Sequence, residues 1–385
     1  MNLIPVTAQD YRHLARKRLP RNFFDYIDGG AYSEITLGTN TDDFEKILLK
    51  QRVMRDISSI DTSTNLFGKT LDMPLVLAPI GLAGMMARRG EVQAVRAADN
   101  VNIPFCLSTV SICSVEEVAE VATKPFWFQL YMMRDRGYVK AILARAKEAG
   151  CKNLVFTVDL AVVGARYRDM RNGMAGGLNA WGKFRSALEY PLHPAWLFDV
   201  GIKGKPHMFG NLSELVPSAR SITDFKNWID EQFDPSCTWK DIEWLREIWD
   251  GNLIIKGILN PEDAKLAVSA GADAIIISNH GGRQLDGVSS GIAMTPRIKD
   301  TLGDATTILM DGGVRSGQDI VKAVASGADA VLMGRPWVWA LAAKGQAGLE
   351  TYLNTIKSEM RVSMALTGTT KIADINQQIF DTVRS

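Results

Sequence analysis

The residues best placed to do chemistry stand together in the run Ser278-Asn279-His280-Gly281-Gly282-Arg283-Gln284-Leu285-Asp286-Gly287. A histidine exchanges a proton near neutral pH, paired glycines let the backbone come close to a ligand, and an arginine grips a carboxylate through two hydrogen bonds. A base beside an anion clamp points to proton abstraction next to a carboxylate. A lone His–Arg pair more often reads as a core histidine and a surface charge. Here the pair follows the apolar, β-branched run Ala274-Ile275-Ile276-Ile277, so it stands where a buried strand ends, and that placement favours the chemical reading.

A second group of residues points to a phosphate. Asp311-Gly312-Gly313-Val314-Arg315-Ser316-Gly317 and Gly334-Arg335 each follow an apolar run, and glycine-rich turns with an arginine beside a helix start are how many barrels hold that anion. Tight turns alone would explain the glycines, but not both arginines.

These residues need a scaffold, and eight short apolar runs supply it: Leu75–Pro79, Pro104–Leu107, Phe126–Tyr131, Leu154–Asp159, Leu253–Gly257, Ala274–Ser278, Thr306–Asp311 and Ala330–Gly334. Helical patterns at Gly90–Asp99, Val115–Val121, Gly137–Ala149, Pro261–Ala270 and Ser316–Ala325 separate them, which predicts an α/β fold of the (β/α)₈ TIM-barrel type. A doubly wound sheet is the rival, but Ile80-Gly81-Leu82-Ala83-Gly84 lacks the full dinucleotide fingerprint after the first strand. Polar residues recur where the strands end, at Ser108, Gln129, Tyr131, Thr157, Asp159, Lys256, His280, Asp311 and Arg335, and that is the catalytic face of a barrel.

Ahead of the barrel, Thr7–Leu19 and Phe23–Gly30, the latter closed by a glycine cap, read as helical turns, with a further helical stretch from Asn40 to Leu48. They form an N-terminal helical cover. The spacing between the fourth and fifth strands far exceeds a βα loop and predicts an insertion at about 170–215 in a single domain spanning 1–385, with the barrel at about 75–345. Its first part mixes Met174, Trp181, Phe184, Leu188, Trp196, Leu197 and Phe198 with Lys183, Arg185, Lys203 and Lys205, while Thr223–Trp249 reads as ordinary helices. Aromatics among bases fit an active-site lid or a segment lying in a membrane interface.

Composition narrows the partners. The 385 residues carry 44 Lys plus Arg against 43 Asp plus Glu, so no global field favours nucleic acid, and a small-molecule substrate is expected. The four cysteines, Cys106, Cys113, Cys151 and Cys237, contain no Cys-x-x-Cys pair, so neither a disulfide framework nor a metal site is expected. Without a spanning apolar stretch or an apolar leader, catalysis is expected to face the cytosol, with any membrane contact peripheral.

From Asp10 to Leu366, and most specifically in SNHGGRQLDG, the chain resembles the FMN-dependent 2-hydroxy-acid dehydrogenases and oxidases. The resemblance implies that the phosphate belongs to FMN. Ala78, Pro79, Ser108, Gln129, Thr157, Lys256 and Ser278 then stand at flavin-contacting positions, with Asp311, Gly312, Gly313, Arg315, Gly334 and Arg335 around the phosphate. It further implies that Lys256 stabilises negative charge on the reduced flavin, that His280 is the base, and that Asp159 holds its imidazole. Arg166, Arg283 and Tyr26 would bind the substrate carboxylate, and Tyr131 would orient the oxidised centre. Val110 and Met133 are expected in the pocket wall.

Asp28–Glu34, Met86–Ala94, Leu107–Ser111 and Phe233–Ser236 resemble the bacterial respiratory L-lactate dehydrogenases of this family, whereas Leu160-Ala161-Val162-Val163 departs from them beside the clamp. The implied reaction is oxidation of L-lactate to pyruvate, with electrons passed to a membrane quinone or other respiratory acceptor at the cytoplasmic side of the inner membrane, by a tetramer. S-mandelate or another L-2-hydroxy acid is the alternative substrate, and O2 the alternative acceptor. Gly81, where oxidases of the family often carry alanine, favours a dehydrogenase. A barrel without redox chemistry and a non-catalytic binding protein are the readings from other classes.

Overall fold

The computed structural model describes residues 4–174, 182, 187–212 and 231–381. The chain enters through three helices. α1 (Ala8–Arg18) is started by a reciprocal cap between Thr7 and Asp10. α2 (Arg21–Asp28) follows Pro20, and α3 (Ile35–Lys46) begins ahead of the expected Asn40. Gly29 is not the left-handed cap expected of it: its φ is −73°, and it is glycine because a Cβ would sit 2.7 Å from the carbonyl of Asp25.

A hairpin that the apolar runs did not announce comes next. β1 (Thr64–Leu66) and β2 (Lys69–Leu71) flank Phe67 and Gly68, whose φ values of 50° and 72° make the turn type that follows the natural twist of a two-residue hairpin. Leu66, Phe67 and Leu71 join the interior apolar cluster of the barrel, and the Phe67 ring meets that of Trp127 edge-on at 5.7 Å. The hairpin is the plug at the bottom of the barrel.

All eight apolar runs form strands: β3 (Leu75–Leu77), β4 (Cys106–Ser108), β5 (Trp127–Leu130), β6 (Asn153–Thr157), β7 (Asn252–Ile258), β8 (Ala274–Ile277), β9 (Thr307–Asp311) and β10 (Ala330–Met333). They pair in parallel in the order β3-β10-β9-β8-β7-β6-β5-β4, and a bridge between Leu77 and Phe105 closes the ring into a (β/α)₈ barrel. The two-residue period of a strand divides the apolar side chains. Val76, Cys106, Val155, Ile254, Ile276, Leu309 and Leu332 fill the interior, while Leu75, Leu77, Phe128, Phe156, Ile255 and Met310 face the surrounding helices.

Those helices include Gly90–Asn100, Arg136–Glu148, Trp239–Ile248, Pro261–Ser269, Gly291–Leu302 and Gly317–Ala325, and finally Arg335–Thr367, which is interrupted at Gly345 (φ 65°). The cover lies on the last of them, with the rings of Tyr11 and Tyr352 5.3 Å apart.

Only part of the insertion falls within the described residues; Trp181, Lys183, Phe184, Arg185 and the start of the Thr223–Trp249 stretch lie outside them. Its described aromatics divide. Trp196 is 3% exposed, packs on Phe23 and Tyr190, and donates its indole N–H to the carbonyl of Met85 at 2.8 Å, so it belongs to the core. Phe198 is 57% exposed beside Ile202, with the ammonium of Lys203 4.5 Å from its ring centre.

Candidate active site

β8 delivers its histidine through a bend that few sequences adopt. His280, Gly281 and Gly282 all have left-handed backbones, with φ of 57°, 65° and 73°. Both glycines are required: a Cβ at Gly281 would sit 2.7 Å from Arg335 Nη1, and one at Gly282 would sit 2.7 Å from the backbone nitrogen of Leu37 in α3. Asn279 fastens the bend by accepting from the Gly282 N–H at 3.0 Å, and a reciprocal amide pair joins it to Asn40 of α3. Asp286, further along the same loop, caps α3 by accepting from the N–H groups of Ile35 and Thr36.

The imidazole so placed has its Nδ1 2.8 Å from Asp159 Oδ1, at the end of β6. Burial lowers the pKa of His280 below its ordinary value despite the pull of Asp159. Burial pushes Asp159 up, but the charges of His280 and Lys256 outweigh it and hold the carboxyl below the usual range. At neutral pH the pair is therefore a carboxylate and a neutral imidazole. Nδ1 carries the proton donated to Asp159, which leaves Nε2 as the basic nitrogen.

The floor is a polar layer in an apolar barrel. Lys256 Nζ lies 3.0 Å from both Asp311 Oδ2 and Ser278 Oγ. Burial works against its charge, but Asp311 and Asp159 prevail and keep the ammonium protonated. Ser108 donates to Gln129, and Gln129 in turn to Thr157.

Arginines line the mouth. Arg166 is half-buried, and desolvation together with the charge of Arg283 lowers it to about 10. Arg283 stacks over Tyr26, 4.9 Å from its ring centre, and donates to the carbonyls of Tyr26 and Gly29. Arg335 donates to the carbonyls of Ile27 and Gly29, and burial with the neighbouring Arg283 and Arg315 lowers its pKa strongly. Arg315, also lowered by burial, donates to its neighbour's carbonyl and lies over Trp339. Among the described residues none of these four guanidinium groups has a carboxylate partner. Half-buried cations without counter-ions carry a desolvation cost, so this mouth suits anions.

A cavity of about 640 Å³ joins these groups. Its wall includes His280, Tyr26, Tyr131, Arg166 and Arg283, and also Ala78, Pro79, Thr157, Lys256, Asp311, Gly312, Gly313, Arg315, Gly334 and Arg335. Asp159, Ser108, Gln129 and Ser278 stand behind that wall and bond to residues that form it. Gly81 lines it too, and Val110 does so as expected, but Met133 does not: it is fully buried, and its backbone pairs with Phe233, which takes the wall position. The sequence reading did not single out Leu160, Val163, Asp169, Phe233 or Gln284. Leu160 and Val163 stood in a stretch noted only for its departure from the family, Phe233 in one noted only for its likeness to a subgroup, and Gln284 in the motif itself without a role, while Asp169 carries no motif.

The arrangement fits FMN. The Arg315 and Arg335 pair, with Gly312, Gly313 and Gly334 at the start of the last helix, suits a phosphate. The long cavity suits a ring system, and the buried Oδ1 of Asp311 still lacks a donor. A closed barrel whose mouth gathers a histidine–carboxylate pair, four arginines and two glycine-rich turns suits an oxidoreductase that holds FMN, and the chain belongs to the FMN-dependent dehydrogenase family, whose pattern matches residues 15–382. It is 53% identical to an L-lactate dehydrogenase of Haemophilus influenzae and 52% identical to one of Caulobacter vibrioides, each match covering 98% of both chains. Among solved structures it resembles a monotopic membrane (S)-mandelate dehydrogenase, with a TM-score of 0.91 and 34% identity over 99% of this chain and 100% of that one. A mandelate oxidase superposes with a TM-score of 0.82 at 36% identity over 97% and 98%.

Proposed function

We propose that this enzyme oxidises L-lactate to pyruvate and passes the electrons to a membrane quinone. The observation that carries the reading is the neutral His280, held by ionised Asp159, in one cavity with Arg166 and Arg283, half-buried cations that have no carboxylate partner among the described residues. The names of its relatives at 52% and 53% identity support lactate over larger acids.

Oxidation of a 2-hydroxy acid to a 2-keto acid removes two electrons and two protons, and bound FMN supplies the electron sink. The chain does the rest. Arg166 and Arg283 bind the carboxylate and fix which face of the substrate meets the base, helped by the Tyr26 hydroxyl, while Tyr131 orients the carbon being oxidised. His280 takes a proton at Nε2, and Asp159 stabilises the resulting imidazolium through Nδ1. Lys256, kept cationic by Asp311 and Asp159, offsets negative charge gained by the cofactor. Ala78, Pro79, Ser108, Gln129, Thr157 and Ser278 hold the ring system, and Asp311, Gly312, Gly313, Arg315, Gly334 and Arg335 the phosphate end.

The chain is one domain, and its insertion at about 170–215 is a peripheral contact with the inner membrane on the cytoplasmic side, in a tetramer. Exposed Phe198 and Ile202 beside Lys203 support that contact, and among the described residues no helix is long and apolar enough to cross a membrane. The test is turnover: purified enzyme with L-lactate and a quinone analogue under anaerobic conditions should form one pyruvate per quinone reduced. Pyruvate formed only with O2, alongside peroxide, would make it an oxidase.

A further inference from the structure

We infer that Gln284 is a positioning residue for this reaction: its side-chain amide locks the loop carrying Asp159 and Arg166 to the loop carrying His280 and Arg283. The inference rests on the function proposed above. Gln284 uses its whole amide on the loop after β6. Nε2 donates to the carbonyls of Asp159 at 2.8 Å and Val162 at 2.7 Å, while Oε1 accepts from the Gly164 N–H at 3.2 Å and Arg166 Nη2 at 3.3 Å. Two carbonyls on one side and two N–H donors on the other permit only one orientation of the amide.

The backbones touch at the same place. A Cβ on Gly164 would lie 2.4 Å from the carbonyl oxygen of Arg283 and 2.8 Å from Gln284 Cα, and Arg166 Nε also donates to the Arg283 carbonyl at 3.3 Å. Each loop contributes one member of the base pair and one of the carboxylate clamp. Their relative placement therefore sets how far the base stands from a clamped substrate, and misplacement of reacting groups by an ångström is costly. Gln284 bonds the backbone of Asp159 rather than its carboxylate or the His280 imidazole, and it acts through the residues it holds.

The experiment uses holoenzyme carrying Gln284→Met, which keeps the length of the side chain and loses all four bonds. Three quantities are read: the rate of anaerobic FMN reduction by saturating L-lactate, the Kd of oxalate from the flavin spectrum, and the pH profile of reduction. The imidazole of His280 feels Asp159, Lys256 and Arg166. If Asp159 drifts from it, the imidazolium loses its stabiliser, and the acid limb moves to lower pH.

The expected result is a reduction rate lower by about tenfold to a hundredfold, weaker oxalate binding and that shift of the limb, with FMN content retained. Unchanged rate, affinity and limb would overturn the inference, and so would a loss of thermal stability with all three unchanged. Gln284→Asn, whose amide ends one methylene short, is read in parallel and decides on the same quantities if Gln284→Met does not fold. A wild-type protein that L-lactate fails to reduce would instead sink the lactate reading, and oxalate affinity in the two variants would still decide the role of Gln284.

Discussion

His280 takes a proton only while neutral, and its surroundings decide the pH at which that holds. Burial lowers its pKa from 6.5, and Asp159 opposes the shift without cancelling it. Loss of activity on acidification therefore follows protonation of His280, and kcat/KM should rise with pH along a limb centred below pH 6.5 and stay level above it. Replacing the base with His280→Gln should leave FMN bound and slow its reduction by about 10²–10⁴-fold, measured in a single anaerobic turnover. His280 was legible because the motif sets it directly after an apolar run, and Asp159 because it is a polar residue at the end of another. Gln284 stands in that motif too, but its role was not legible, since it depends on backbone carbonyls of a loop far away in sequence. Met133 was misplaced for a related reason: the wall position near it is taken by Phe233, which pairs with it from a distant stretch of the chain.

At the scale of elements, the aromatics of the insertion divide between the core and the surface, which composition had merged. Trp196 is a core residue and Phe198 is not. Trp196→Ala should destabilise the protein by about 3–5 kcal/mol, seen as a lower Tm. Phe198→Ser combined with Ile202→Ser should leave Tm and lactate oxidation with a soluble acceptor unchanged while weakening sedimentation with anionic vesicles. Unchanged vesicle binding would remove the membrane role from this segment. The eight strands were readable because parallel strands buried on both faces are continuous apolar runs. The β1–β2 hairpin was not, because Leu66-Phe67 and Leu71 are too few to make an apolar run, and their burial depends on the open end of a barrel formed by later strands.

At the scale of the molecule, the N-terminal cover is part of the active site. Asp28 at the end of α2 is bound by Arg12 of α1 and by Arg168 beyond β6, and α3 is capped by Asp286 from the loop after β8. Burial raises the pKa of Asp28, but the hydrogen bonds and charge of Arg12 and Arg168 prevail, so its folded value lies below its unfolded one. Its contribution is therefore fully present above the unfolded pKa and is lost as pH falls through the folded value. Asp28→Asn should cost about 3 kcal/mol at neutral pH and much less in acid, as chemical denaturation at both pH values would show. No local pattern announces this linkage, because it joins residues from three separate elements.

This mouth is expected to oxidise a small 2-hydroxy acid at FMN. The most direct test mixes the anaerobic holoenzyme with L-lactate, and separately with S-mandelate, and follows flavin absorbance in a stopped-flow instrument. Rapid bleaching by L-lactate, with S-mandelate slow or inert, is the expected result. Fast bleaching by S-mandelate alone would contradict the substrate assignment, and a flavin that neither acid reduces would contradict the account of the site.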